Sequence, residues 1–300
     1  MKTVLTILFT LTNLGTGFGQ NGKLLSKRLV DVAETPIWDR ISEEGELLSE
    51  FEHLNKLDFF SITYQSDSST VRGLLVEPKK DGEYPVVIFN RGGNRDFSRL
   101  TVATMIFYTS KLAEHGFVII GSNYRQADEF GGAELNDVLN LTTTIKEIEK
   151  ADTTKIGMFG WSRGGMMTYL VLKKSKKIKT AIVGNGPTDL FGLIKDRPAM
   201  ETKVIAECIP NYWESKESEL KKRSAMYWVD QLNKKSSLLI LCGTRDKRVN
   251  PLQADWISKE LEAINYDFEL KKFDTDHFFT EKKSELNETV IDWFEKRLRE

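Results

Sequence analysis

The residues best suited to chemistry in this chain are Gly160-Trp161-Ser162-Arg163-Gly164. The apolar residues 155–159 before them predict a strand, and residues 166–173 after them predict a helix. A serine between glycines at such a junction is typical of a nucleophile elbow, a turn so sharp that side chains two residues away would collide. The turn exposes the Ser162 hydroxyl and aims the backbone N–H of Arg163 at a developing oxyanion. This pattern predicts acyl transfer with Ser162 as the nucleophile.

A nucleophilic serine needs a base, and the chain offers three histidines, His53, His115 and His277. In this type of site the acid and then the histidine follow the serine along the chain, and only His277 does so. His115 precedes a glycine and is expected to end a helix, and His53 lies in a charged segment before the sheet. We therefore predict His277 as the base, in the loop after an extended segment at residues 266–273.

The carboxylate that orients the histidine is expected at the end of a strand. Residues 238–243 are continuously apolar and predict a buried parallel strand. Asp246 is the first carboxylate after this strand, and it would hold one imidazole nitrogen as a donor. Asp274 and Asp276 are alternatives that lie close to His277 in the chain. Because no strand end positions these two residues, Asp246 ranks first.

A second oxyanion donor is expected from Gly92 and Gly93, in the loop after a strand at residues 86–89. Glycines allow backbone N–H groups to approach a ligand closely. Arg91, just before them, has two open interpretations: a cation that serves the oxyanion or an anionic substrate, or a structural partner of a carboxylate. We also predict Trp161 and Tyr124 as substrate-binding residues.

The residues Ser162, Asp246 and His277 together resemble the α/β-hydrolase superfamily, and within it the catalytic domain of the prolyl oligopeptidase family. The resemblance covers about residues 60–299, and the segments that carry it are Tyr84–Gly93, Asn123-Tyr124-Arg125, Gly160–Gly165, Gly243–Val249 and Asp276-His277. Where the family usually has Tyr or His before the paired glycines, this chain has Arg91. The resemblance implies the α/β-hydrolase fold, with a mostly parallel central sheet, helices on both faces and a cap insertion.

The chain is predicted to have three parts. Residues 1–19 combine Lys2, an apolar run and small residues before Gln20, which predicts a signal peptide and export to the periplasm or the medium. The apolar run is too short to span a membrane. Residues 20–58 predict one or two charged helices, and residues 59–300 predict the catalytic domain, with a cap insertion at about 186–235. Since residues 20–58 are too few for a β-propeller, we expect the catalytic domain alone.

Composition and motifs argue against several classes of partner. The net charge is −1, which gives no reason to expect nucleic acid or an anionic surface. No group of His, Cys and carboxylate residues has metal-ligand spacing, and there is no glycine-rich phosphate loop, so neither a metal nor another cofactor is expected. Cys208 and Cys242 are expected to be free thiols, because a disulfide would have to reach into the sheet.

These features predict a serine hydrolase that cleaves a peptide or a carboxylic ester in a small molecule or short peptide. The family resemblance favours a serine peptidase. The expected lack of a propeller favours the alternative, an esterase acting on a small or carbohydrate-linked ester. A catalytically silent binding protein on the same fold is a further alternative, since fold alone does not determine function.

Overall fold

A computed structural model describes residues 20–299 of the chain. Its centre is a nine-stranded sheet with the order β1-β4-β5-β7-β6-β8-β9-β10-β11, and β2 and β3 form a separate hairpin. In this part of the chain β7, β6, β8, β9, β10 and β11 are parallel, whereas β1, β4 and β5 pair antiparallel. The strands are β1 Leu24–Val30, β2 Ser42–Glu43, β3 Glu46–Leu47, β4 Leu57–Ser66, β5 Ser69–Pro78, β6 Tyr84–Asn90, β7 Val118–Ser122, β8 Ala151–Trp161, β9 Thr180–Gly184, β10 Ser237–Gly243 and β11 Phe268–Phe273. The predicted mostly parallel sheet is confirmed.

Helices cover both faces of this sheet. They are α1 Trp38–Ile41, α2 Val102–Glu114, α3 Leu135–Thr144, α4 Arg163–Lys174, α5 Leu190–Asp196, α6 Pro198–Met200, α7 Ala206–Cys208, α8 Tyr212–Arg223, α9 Leu252–Ala263 and α10 Lys283–Leu298. Alternate side chains of a strand point to opposite faces. In β6, Val86 and Ile88 therefore join a core with α3, α4 and α9, and Val87 and Phe89 join a second core with α2 and α10. Because both faces are buried, the central strands are continuously apolar, which is what made them recognisable.

The prediction that residues 20–58 form one or two charged helices is wrong for residues 24–30. Leu24–Val30 forms β1, an edge strand that pairs antiparallel with β4. An edge strand pairs with a neighbour on one side only, and most side chains of β1 face solvent. The strand therefore contains charged residues, and its sequence resembles that of an exposed helix. Lys27 forms a salt bridge with Glu77 on β5, with 2.7 Å between Nζ and Oε2. Helical turns do follow, in α1 and in a 3₁₀ segment at Ser49–Lys56.

The insertion between β9 and β10 is helical and contains α5 to α8. Its aromatic side chains divide into two groups. Tyr212 and Trp228 are buried and belong to the core on that face, whereas Trp213 and Tyr227 are exposed. The insertion is therefore packed onto the domain by part of its aromatic content.

Three predictions concern compartment and thiols. The signal peptide predicted at residues 1–19 lies outside the described residues and stays a prediction. No helix between residues 20 and 299 is long and apolar enough to cross a membrane.

Cys208 and Cys242 are separate buried thiols, as expected, and burial raises the pKa of each to about 11.

Candidate active site

Ser162 lies in a strained turn between β8 and α4. Its φ is 56° and its ψ is −124°, a backbone conformation that costs a non-glycine residue on the order of 1–3 kcal/mol. A Cβ on Gly160 would stand 2.2 Å from the Gly164 carbonyl oxygen, and one on Gly164 would stand 1.9 Å from the Asn90 carbonyl oxygen. Only glycine fits at these two positions, which is the collision predicted for a nucleophile elbow. Ser162 remains half-buried and faces a cavity.

His277 and Asp246 are in direct contact. His277 Nδ1 lies 2.6 Å from Asp246 Oδ2, and both side chains are almost fully buried. The other oxygen, Asp246 Oδ1, accepts backbone hydrogen bonds from Arg248 at 2.6 Å and from Val249 at 3.0 Å. Both carboxylate oxygens are therefore fixed, and the contact directs Nε2 of His277 away from the carboxylate. The arrangement is that of a carboxylate holding a histidine in one orientation.

The two alternative acids are engaged elsewhere. Asp274 is exposed and pairs with Arg245 at 2.9 Å. Asp276 accepts hydrogen bonds from the backbone N–H groups of Phe278 and Thr280 within its own loop. The ranking of Asp246 first among the three carboxylates agrees with these contacts.

Two residues connect the His277 loop to the serine turn. Trp161, the residue before Ser162, donates its indole N–H to the His277 carbonyl oxygen at 3.2 Å. Asn185, which follows β9, donates to the same oxygen at 3.0 Å and accepts from the backbone N–H of Gly243 at 2.8 Å. Trp161 is buried and therefore positions His277 rather than lining a substrate surface, contrary to our prediction. Asn185 has no motif around it, and sequence reasoning missed it.

The loop predicted to supply oxyanion donors lies beside the serine. A Cβ on Gly92 would lie 3.2 Å from Ser162 Cβ, so the glycine backbone is in direct contact with the turn. Gly93 has a φ of 72°, a left-handed conformation that favours glycine. Arg163 is the first residue of α4, and its backbone N–H therefore has no carbonyl partner within the helix.

The side chain of Arg163 is buried in an ion network under this loop. It binds Asp128 through two contacts of 2.6 and 2.7 Å, Glu134 at 2.5 Å and the Gly93 carbonyl oxygen at 3.1 Å. Burial favours neutral Asp128, but the charge of Arg163 outweighs it and holds the pKa of that carboxyl below its usual value. Asp128 also accepts the backbone N–H of Arg95 at 2.6 Å. The network therefore ties the turn to the Gly92-Gly93 loop.

Arg91 fits neither of its two predicted roles. Its guanidinium is buried and donates to five backbone carbonyl oxygens, those of Gly92, Arg95, Phe97, Ser98 and Asn123, at 3.0–3.4 Å. It makes no ion pair with a carboxylate of residues 20–299, and burial lowers its pKa. Tyr124 is buried beneath it and donates its hydroxyl to the Arg91 carbonyl oxygen at 3.2 Å. Both residues brace the loop, and neither lines the cavity at Ser162, so the structure does not support their predicted substrate contacts.

A cavity of about 150 Å³ opens at Ser162. Besides the serine and Arg163, its lining combines loop residues and residues of the insertion, namely Gly93, Asn94, Phe97, Phe130, Pro187, Leu193, Arg197, Met200, Arg248 and Val249. A larger hollow of about 620 Å³ lies between the N-terminal segment and α2, and Ser162 does not line it. We take the smaller cavity as the candidate active site, because Ser162 and Arg163 line it. The insertion reaches this cavity, as expected of a cap.

No group of three or more metal-ligating side chains occurs between residues 20 and 299.

Comparison with known proteins identifies the family. A sequence model of the prolyl oligopeptidase family (Peptidase S9) matches residues 109–300, well over half of the chain. An uncharacterised peptidase of Bacillus subtilis, YtmA, is 22% identical over 248 residues, which cover 79% of this chain and 93% of that protein. The acylamino-acid-releasing enzyme of Rattus norvegicus is 24% identical over 231 residues, covering 70% of this chain but only 29% of the enzyme.

Solved structures share the fold. The acylaminoacyl peptidase of Pyrococcus horikoshii superposes with a TM-score of 0.68 at 18% identity, over 85% of this chain and 45% of that one. Dipeptidyl peptidase 4 of Porphyromonas gingivalis gives 0.66 at 20% identity, over 80% and 36%. The chain thus spans less than half the length of these two structures. With the α/β-hydrolase sheet, the elbow at Ser162 and the family match all in agreement, the chain belongs to the prolyl oligopeptidase family of serine peptidases.

Proposed function

We propose that the protein cleaves short peptides through an acyl-enzyme, with Ser162 as nucleophile, His277 as general base and Asp246 as the acid that orients it. The observation that carries the proposal is the 2.6 Å contact between His277 Nδ1 and Asp246 Oδ2, on a loop held by the residue next to the serine. This contact favours a proton on Nδ1, so that Nε2 is free to accept the proton of the Ser162 hydroxyl.

The reaction follows from these roles. Ser162 Oγ attacks the scissile carbonyl carbon as His277 Nε2 takes its proton, and the carbonyl oxygen becomes an oxyanion. The backbone N–H of Arg163 and those of the Gly92-Gly93 loop stabilise that charge. The C–N bond then breaks, the leaving amine takes the proton from His277, and water releases the acyl group from Ser162 by the same steps in reverse.

Peptide bonds are proposed over esters because of the relatives. The compared proteins are named as an acylamino-acid-releasing enzyme, an acylaminoacyl peptidase and a dipeptidyl peptidase. A cavity of about 150 Å³ supports a substrate that inserts one side chain of moderate size. An esterase would use the same three side chains, so the leaving group must be tested directly.

Labelling by a fluorophosphonate probe tests the nucleophile. We expect the wild type to be labelled, and Ser162→Ala and His277→Ala to remain folded and unlabelled. Ser175→Ala, a substitution at the other end of α4, should label like the wild type. A folded wild type that takes up no label would overturn the acyl-enzyme proposal and favour a binding protein.

Paired substrates and carboxylate variants test the remaining roles. Peptidyl p-nitroanilides should be hydrolysed with a higher kcat/KM, relative to their uncatalysed rates, than p-nitrophenyl esters of the same acyl group; the reverse result would establish an esterase. Asp246→Asn should lower kcat by about three to four orders of magnitude, since an asparagine would favour the wrong imidazole tautomer. Asp274→Asn, at an exposed carboxylate that pairs with Arg245, is the matched control and should change kcat less than threefold, an order-of-magnitude limit for a residue outside the site.

We also propose that residues 1–19 direct export of the protein. The support is the sequence pattern alone, a basic start, an apolar run and small residues before Gln20. N-terminal sequencing of the protein from fractionated host cells is expected to begin at Gln20. An intact Met1 on protein in the cytoplasmic fraction would refute the proposal.

A further inference from the structure

Two arginines that the proposed mechanism does not use line the cavity at Ser162. Arg197 directly follows α5 in the insertion, and Arg248 lies in the loop that also supplies Asp246. The Arg197 guanidinium donates through Nη1 to the Arg248 carbonyl oxygen at 3.1 Å. This bond fixes one side of the Arg197 fork and brings the cap and the acid-bearing loop together at the cavity.

Neither guanidinium has a carboxylate partner within residues 20–299. The acidic side chains beside them are already engaged: Asp246 by His277, and Asp196 by the side-chain amide of Asn250 at 2.9 Å. Burial and the neighbouring charge of Arg248 lower the pKa of Arg197, and the charge of Asp246 offsets this only in part. Two adjacent unneutralised arginines create a positive potential that a carboxylate can satisfy through charge-assisted hydrogen bonds.

Most of the remaining wall of the cavity is apolar, although Asn94 also lines it. Its side chains come from both the domain and the cap, and they include Phe97, Phe130, Leu193, Met200 and Val249. A ligand that complements such a lining carries an apolar group against the wall and an anionic group against the arginines. Arg91, the residue that sequence alone suggested for anion recognition, is committed to backbone carbonyls and leaves this role open.

We propose that Arg197, together with Arg248, makes the enzyme select substrates with a carboxylate close to the apolar residue at the scissile bond. This inference rests on the proposed peptidase function of Ser162. The carboxylate can belong to the acyl part of the substrate, as an acidic side chain or dicarboxylic cap, or to the C-terminus of a short leaving peptide. Both sources present the same planar anion to the guanidinium fork.

Matched substrates separate the two sources. The first pair is a peptidyl p-nitroanilide capped with succinyl and the same compound capped with succinyl methyl ester. The second pair is a quenched peptide with a free C-terminal carboxylate and its C-terminal amide. We expect the wild type to prefer the anionic member of one pair by about tenfold in kcat/KM, the size of one charge-assisted hydrogen bond. The pair that shows the preference identifies the source.

Variants assign the preference to the arginines. Arg197→Gln and Arg248→Gln should each lower the ratio of anionic to neutral kcat/KM toward one, and Arg197→Lys should retain part of it. Lys195→Gln removes a cation from α5 outside the cavity lining and should keep the wild-type ratio. Raising NaCl to about 0.5 M should also reduce the wild-type ratio, because salt screens partly exposed charges.

The outcomes distinguish the two levels of the argument. If the wild type takes the fluorophosphonate label but cleaves the anionic and neutral members of each substrate pair at equal rates, the proposed anion selectivity is overturned. The proposed peptidase function would remain intact. A preference that survives in Arg197→Gln would overturn the assignment to Arg197. A wild type that neither takes the label nor cleaves any of the four substrates would overturn the proposed function, and this inference with it.

Discussion

The indole N–H of Trp161 donates to the backbone carbonyl of His277 across 116 residues of chain, at 3.2 Å. The donor is the residue before the proposed nucleophile, and the acceptor is the residue proposed as its base. Trp161 is itself held by edge-to-face packing on Phe279, with ring centroids 5.2 Å apart. Trp161 therefore shares with Asn185 the positioning of the His277 loop relative to the turn at Ser162.

Replacing Trp161 by phenylalanine should weaken catalysis more than binding. Trp161→Phe keeps an aromatic ring in the cluster but removes the donor, so the His277 loop loses one of its two positioning hydrogen bonds. We expect kcat to fall by about threefold to tenfold, the worth of one neutral hydrogen bond, with little change in KM. Steady-state kinetics on a peptidyl p-nitroanilide give both constants.

Two further variants sharpen that test. Trp213→Phe alters an exposed tryptophan of the cap and should leave kcat unchanged. Trp161→Phe combined with Asn185→Ala removes both donors to the same oxygen, and the loss of kcat should exceed the product of the single losses. Equal kcat in the wild type and in the double variant would show that neither residue positions His277.

The buried Arg163 network should dominate the stability of the active-site loops. Arg163→Gln leaves the buried carboxylates of Asp128 and Glu134 without their cation, and we expect the free energy of unfolding to fall by about 3–5 kcal/mol. Arg245→Gln is the control, because the pairs of Arg245 with Asp274 and Glu281 are exposed; it should cost about 1 kcal/mol or less. Urea denaturation followed by fluorescence measures both, and equal losses would contradict a buried network.

Arg91 should affect all substrates alike. Its guanidinium holds the loop that carries Gly92 and Gly93, so Arg91→Lys, which keeps the charge but has one donor group, should lower kcat for neutral and anionic substrates by the same factor. The measurement is the ratio of the two kcat values in wild type and variant. A loss confined to anionic substrates would return Arg91 to the role of substrate cation.

His53 should make the protein less stable in mild acid. Its Nε2 donates to Ser110 Oγ at 2.8 Å, since that hydroxyl donates to Ile106, and the buried Nδ1 has no partner in the described part of the chain. Burial, assisted by the charge of Lys111, lowers the pKa of His53 to about 4. Well above pH 6.5 the residue is neutral in both folded and unfolded chains.

The sign of the effect follows from that lowered pKa. As the pH falls from 6.5 to about 4, His53 becomes protonated in the unfolded chain but stays neutral in the folded protein. The free energy of unfolding therefore falls by up to about 3 kcal/mol. His53→Gln should flatten the dependence of unfolding free energy on pH over this range. His115→Gln, at an exposed histidine, should not. An identical pH dependence in wild type and His53→Gln would contradict the buried, neutral histidine.

The sequence by itself determined the elements whose signals are local. Gly160 and Gly164 predicted the sharp turn, because a side chain at either position would collide with the backbone. In the structure, a Cβ at either position would indeed stand too close to a backbone carbonyl oxygen. The central strands were visible since burial on both faces demands continuous apolar residues. The chain order of Ser162, Asp246 and His277 selected three residues, of which the structure brings Asp246 and His277 into contact at 2.6 Å.

Only the tertiary structure decided which side chains touch. The edge strand β1 was mistaken for helix because solvent, rather than the core, faces most of its residues. Arg91, Trp161 and Tyr124 were predicted as substrate contacts, yet all three are buried against backbone carbonyls. The carbonyls that Arg91 binds come mainly from its own loop, whereas those bound by Trp161 and Tyr124 are distant in the chain. Arg197 and Arg248 meet at the cavity although 51 residues separate them. Such contacts depend on how the loops and the cap fold over the sheet. The order of residues along the chain does not determine the distances between side chains that are far apart in sequence.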